Sequence, residues 1–143
     1  MKYVVDTNII NRLIDGAIQP EDLPSDGEFI ATHVQIDELN KTQDQERRAR
    51  LFIKFATLKM EVAPTESLVV GLSRVGHCKL SDGTLYTSLR TALDKRNSRK
   101  TNNAHDALIA EVAAKNGYVL ITADSDLAAV AEDHGCKVRR HAP

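Results

Sequence analysis

Apolar residues fall along this chain in short unbroken runs, and stretches with helical spacing separate them. Tyr3-Val4-Val5 runs directly into Asp6-Thr7-Asn8, the pattern of a strand buried on both faces that stops at a polar edge. Ile9, Ile10, Leu13 and Ile14 then form a helical stripe that Gly16 ends. Pro20 to Gly27 is an acidic, turn-forming connection to a second short strand, Glu28 to Ala31. Thr32 with Gln35 makes a capping box for a helix through Leu39. A longer amphipathic helix runs from Asp44 or Gln45 to Leu58. It carries Arg47, Arg48, Arg50 and Lys54 outside, and Leu51, Phe52, Phe55 and Leu58 mostly inside. Met60 to Ala63 is a third strand, stopped by Pro64.

The second half repeats the alternation. Thr65 to Val75 reads as a helix, Gly76 to Gly83 as a loop, and Thr84 to Leu93 as a helix followed by the basic run Asp94 to Lys100. Asn103 is expected to cap a helix that runs to Asn116 and ends at Gly117. Tyr118 to Thr122 is a fourth strand, Ser125 to His134 a helix closed by Gly135, and Lys137 to Arg139 a last short strand. Strands alternating with helices predict an α/β fold: a three-layer sandwich whose central, mostly parallel sheet has four to five strands. With 143 residues and no linker or repeat, the chain is expected to be one domain, 1–143.

Composition narrows the function classes. The chain is 42% apolar and 27% charged, with a formal net charge of −1, so any binding of nucleic acid must come from local rather than overall charge. No segment has the length of a membrane-spanning helix or the layout of a signal peptide. Cys78 and Cys136 are too far apart in sequence to form a metal-binding pair. A cytoplasmic protein with free thiols and no membrane contact is the expectation.

The chemistry lies in carboxylates placed at comparable points. Asp6 ends the first strand, where open α/β sheets bind their ligands. Asp106 shares a helix face with Ile109, Ala110 and Ala113, so it points inward at the top of the sheet. Asp124 follows the fourth strand, and Asp126 comes two residues later. In the helix after the second strand, Asp37 and Glu38 lie about 100° apart around the axis; Glu38 is favoured as the inward one. Asp and Asn are also good helix caps, which is the alternative role for Asp6 and Asn8. If Asp6, Glu38, Asp106 and Asp124 converge, their repulsion calls for a divalent cation. An all-oxygen set suits Mg²⁺ or Mn²⁺, as one or two ions, rather than zinc. Such ions activate a water and stabilise the departing oxygen of a phosphodiester. Thr122 and Asn8 are placed to orient a carboxylate or a water.

On these residues the sequence resembles the PIN-domain family. The matching pieces are Val4-Val5-Asp6-Thr7-Asn8, Ile36-Asp37-Glu38-Leu39, Ala104-His105-Asp106-Ala107-Leu108-Ile109-Ala110 and Leu120-Ile121-Thr122-Ala123-Asp124-Ser125-Asp126-Leu127. They stand in the family's order and span nearly the whole chain. The resemblance implies a Mg²⁺- or Mn²⁺-dependent endoribonuclease acting on single-stranded or structured RNA, often as a homodimer. Many small single-domain members are VapC-like toxins held inactive by a cognate antitoxin. Carried over, the acidic set is Asp6, Glu38, Asp106 and Asp124, with Asp126 where the family has a more variable residue.

Arg90, Lys95, Arg96, Arg99 and Lys100 precede the Asp106 helix, and phosphates are drawn to such a patch without sequence reading. Arg47, Arg48 and Arg50 read as an ordinary helix exterior, and His105 as a residue of the helix's first turn. Three readings share the fold: an RNA nuclease, a flap-type DNA nuclease, and a catalytically silent RNA-binding module. Chain length disfavours the second, and the intact acidic set disfavours the third. A haloacid-dehalogenase-like site is ranked last, because Asn8 stands where it wants an Asp.

Overall fold

The computed structural model describes residues 1–41, 44–64, 83–97 and 103–141. The helix expected over Thr65–Val75, the loop residues 76–82, and Cys78, Arg99 and Lys100 lie outside the described residues. In chain order the elements are β1 (Lys2–Val5), α1 (Thr7–Ile14), a 3₁₀ turn (Pro20–Asp22), β2 (Glu28–Thr32), α2 (His33–Asn40), α3 (Gln45–Leu58) and β3 (Glu61–Ala63). They continue as α4 (Thr84–Arg96), α5 (Asn103–Asn116), β4 (Val119–Thr122), α6 (Ser125–Asp133) and β5 (Lys137–Arg140).

The five strands form one sheet in the order β3-β2-β1-β4-β5, and every pairing is parallel. Val4 of β1 sits in register between Ile30 and Leu120. The two-residue period of the strands divides the core into two layers. Tyr3, Val5, Phe29 and Ile121 pack with the α1 stripe of Ile9, Ile10, Leu13 and Ile14, and with Leu51 of α3. Val4, Ile30 and Leu120 face the other way, onto Leu89 and Leu93 of α4, Ile109 and Val112 of α5, and Leu127 of α6. The continuous apolar runs at β1 and β4 therefore mark strands covered on both faces.

From β1 the chain steps outward to β2 and β3, then returns to the other side of β1 to add β4 and β5. The winding reverses between β1 and β4, and that reversal leaves a crevice outside the carboxyl ends of the two strands.

Three local devices fix this frame. The Thr32 capping box forms as expected: Gln35 Oε1 accepts from the Thr32 N–H at 2.8 Å, and the Thr32 hydroxyl accepts from the Gln35 N–H at 3.5 Å. Gln35 is fully buried, and its Nε2 also donates to the Val5 carbonyl, locking the end of β1 to the start of α2. Gly83 precedes α4 with a φ of +74° and no capping side chain. Buried Glu111 of α5 supplies the acceptor instead, taking the Tyr86 N–H at 3.1 Å. Gly27 has no room for a side chain, since a Cβ there would meet the Tyr3 ring at 2.6 Å.

Three sequence expectations are corrected. Phe52 is exposed (60%), as is Ile53 (63%), because α3 forms an outer layer that seats Leu51 on α1 and half-buries Phe55 and Leu58. Helix α4 continues past Leu93 through Lys95 and Arg96, since nothing in that sequence breaks it before Asn97. Asn103 is the first residue of α5, and its amide donates to Asp94 at 2.8 Å and to the Asn97 carbonyl at 3.0 Å. It ties the end of α4 to the start of α5. Among the described residues, no helix is long and apolar enough to cross a membrane.

Candidate functional site

Asp6 emerges from β1 at the crevice and is 2% exposed. It occupies the N-cap position of α1, yet its side chain makes no capping hydrogen bond. Its carboxylate accepts instead from the hydroxyl of Thr122, at the end of β4, at 2.8 Å. The same hydroxyl accepts the N–H of Asp124 at 3.0 Å. One fully buried threonine thus joins the two strand ends that flank the winding reversal.

Asp124 uses its carboxylate differently. Oδ1 accepts from the Asp126 N–H at 2.9 Å and the Leu127 N–H at 3.2 Å, capping α6. Asp126 faces Arg96 of α4 at 3.3 Å. That ion pair joins the end of α4 to the first turn of α6. Arg90, two turns earlier, bonds the Tyr86 hydroxyl at 3.1 Å and lies 3.9 Å from Asp94 on its own helix.

Helix α5 precedes β4 and runs antiparallel to it, so its first turn sits at the same edge of the sheet. Asp106, in that turn, is 3% exposed. Its neighbour His105 places Nδ1 3.2 Å from Glu38 Oε2, which draws α2 to α5 across the top of β2 and β1. This contact turns Glu38 toward α5. Asn8 is exposed on the first turn of α1.

Asp6, Asp106, Asp124 and Glu38 are therefore all set along the carboxyl edge. Asp6 and Asp106 are buried, while Asp124 and Glu38 are partly exposed. Among the described residues, no group of three or more Asp, Glu, His and Cys side chains is clustered closely enough to hold a metal ion. The donors nevertheless suit a hard cation of the magnesium type. Such ions are characteristically held by one or two carboxylates, with water and substrate phosphates completing the shell, and Asp6 and Asp106 are two buried oxygen donors at one edge.

Sequence reasoning missed several partners. Arg47 is not plain helix exterior: it pairs with Asp15 and donates to Asn11 at 2.9 Å, clamping α3 to α1. Its guanidinium holds the Asp15 carboxyl below its ordinary range. Arg140 and His141 were given no role, yet both line a cavity beside Thr122 and Asp124. The sequence carried no signal for them, because only the pairing of β5 with β4 sets Arg140 beside Thr122, and His141 follows directly after the strand.

No family model and no curated protein matches the chain. Solved structures do. VapBC2 from Rickettsia felis, in a crystal structure bound to a DNA fragment from its promoter, aligns over 98% of this chain and 98% of its own, with a TM-score of 0.64 and 20% identity. VapBC-5 from Mycobacterium tuberculosis, a member of the VapBC family of toxin–antitoxin systems, aligns over 98% of both chains with a TM-score of 0.56 and 22% identity. A domain of a functionally unknown protein from Methanocaldococcus jannaschii covers 99% of this chain, with a TM-score of 0.57 and 18% identity. With its all-parallel sheet and flanking helices, the chain has the PIN-like α/β fold of these VapBC structures.

Proposed function

We propose that this protein is a metal-dependent endoribonuclease that cleaves RNA phosphodiester bonds with an activated water, and that it is the toxin of a toxin–antitoxin pair. The observation that carries this reading is Asp6: a buried carboxylate at the winding reversal, in a capping position, held by Thr122 rather than used as a cap. A folding role alone would favour the cap.

Asp6 and Asp106 would hold Mg²⁺ or Mn²⁺, with Asp124, Asp126 and Glu38 along the same edge. When bound, the ion acidifies a water and offsets the charge that builds on the phosphodiester. Thr122 fixes the orientation of the Asp6 carboxylate, and Asn8 lies exposed on the next turn. Arg90, Lys95 and Arg96 attract backbone phosphates from the α4 side, and Arg99 and Lys100, which follow in sequence, are assigned the same role. The toxin role is supported by the fold shared with the VapBC structures. Exposed Phe52 and Ile53 on α3 give an antitoxin an apolar surface to cover.

The test is cleavage of labelled single-stranded RNA and single-stranded DNA with Mg²⁺, Mn²⁺ or EDTA, with Asp106→Asn alongside. RNA should be cut only with metal, and the variant should lose about a hundredfold or more. Cleavage confined to DNA would move the assignment to a flap-type nuclease. No cleavage and no calorimetric metal binding would leave a silent RNA-binding module.

A further inference from the structure

A cavity of about 290 Å³ opens at the carboxyl ends of β4 and β5, lined by Thr122, Asp124, Ser125, Ala128, Arg140 and His141 among others. It is built on the same threonine as the acidic site. The Thr122 hydroxyl donates to Asp6, and the Thr122 carbonyl accepts the His141 N–H at 2.8 Å. Parallel register sets Arg140 beside Thr122. Glu132 of α6 orients the guanidinium, through Nε at 3.0 Å and Nη2 at 2.9 Å. Further N–H groups of that guanidinium remain to be given.

The cavity is small by the standard of ligand pockets, so it suits a single nucleotide rather than a length of strand. Its character is also mixed. Arg140 offers a cationic, donor-rich end that matches a phosphate, with His141 beside it. Ala128 gives a short apolar wall, and the Ser125 hydroxyl and Asp124 carboxylate can bond a ribose or a base edge.

We propose that this cavity receives one nucleotide of the RNA, next to the bond that is cut, with its phosphate on Arg140 and His141. The position next to the cut rests on the nuclease reading; the nucleotide site rests on the cavity itself. Asp6 and this cavity share Thr122 at the carboxyl edge of the sheet, so one strand running along that edge serves both.

The experiment titrates ¹⁵N-labelled protein with adenosine 5′-monophosphate, inorganic phosphate and an oligoglutamate peptide, read by NMR. Arg140→Ala and His141→Ala run beside it, with circular dichroism as the check on folding. The nucleotide should shift amides within 123–128 and 140–141, and each substitution should weaken its binding about tenfold. In RNA cleavage the same variants should raise KM by more than they lower kcat. Equal binding of inorganic phosphate would overturn the nucleotide site in favour of a plain anion site. Binding of the peptide but not the nucleotide would make it a protein-docking site, and shifts elsewhere or none at all would also sink the proposal. If the wild type cuts no RNA while the nucleotide shifts appear as described, the nuclease reading fails and the nucleotide site stands.

Discussion

At the end of β1 the chain runs Val5-Asp6-Thr7 into α1, and at the end of β4 it runs Thr122-Ala123-Asp124-Ser125 into α6. Both junctions put an aspartate at the N-cap of a helix that leaves the carboxyl edge of a central strand. Asp124 takes two N–H groups of α6 and is partly exposed. Asp6 is buried, leaves α1 without a side-chain cap, and accepts from Thr122. The same residue type in the same local frame therefore caps its helix at one junction and not at the other. What separates them is a tertiary partner, Thr122, which itself belongs to the second junction.

The largest effect should come from breaking the link between the two. Thr122→Val keeps shape but removes the hydroxyl that serves the Asp6 carboxylate and the Asp124 N–H. Removing this donor from a buried carboxylate should cost about 2 kcal/mol, read as a lower denaturation midpoint in urea with an unchanged slope. A midpoint matching the wild type would mean that the two strand ends do not depend on each other.

Asp124 sharpens the contrast by chemistry. Asp124→Ala removes the α6 cap and should cost about 1 kcal/mol, whereas Asp124→Asn keeps a capping oxygen and should lose only a few tenths. Thermal melts of the two variants separate cap from charge. If the asparagine variant is as unstable as the alanine one, the carboxylate at this junction does more than cap.

A smaller effect is expected at the far end of α1, away from both junctions. Arg47 lowers the pKa of Asp15 from its ordinary value of 3.8, chiefly through their hydrogen bond. A carboxylate depressed in the folded state stabilises it above that ordinary value, and the contribution fades as pH falls through the lower folded value. Asp15→Asn should therefore lower stability slightly near neutral pH, by an amount that shrinks as pH falls through the folded value, so that the acid limb flattens. A loss of the same size at neutral and at strongly acid pH would show that the pair matters through packing rather than charge.

The contrast between the junctions also marks how far the sequence could be read. The apolar runs at Tyr3-Val4-Val5 and Leu120-Ile121 located the central strands, because burial on both faces leaves no alternation. The Thr32–Gln35 box located the start of α2, because both partners lie within one turn. Asp6 and Asp124 were legible as carboxylates at strand ends but not as different from each other, since the Thr122 hydroxyl lies 116 residues from Asp6. The Glu38–His105 contact spans 67 residues and Gln35–Val5 spans 30. Pattern and capping are local physics, whereas the choice of hydrogen-bond partner waits on the topology. Phe52 misled for the same reason: periodicity gives α3 an apolar face, but only the outer position of α3 decides how much of it is covered.

The most direct test compares the two aspartates as reactive groups. Asp6→Asn and Asp124→Asn should both fold, and metal-dependent RNA cleavage should be measured for each under single-turnover conditions. The account predicts that Asp6→Asn loses about a hundredfold or more, and that Asp124→Asn loses clearly less. Equal losses, or a larger loss at Asp124, would contradict the assignment of Asp6 as the carboxylate kept free of its helix for chemistry.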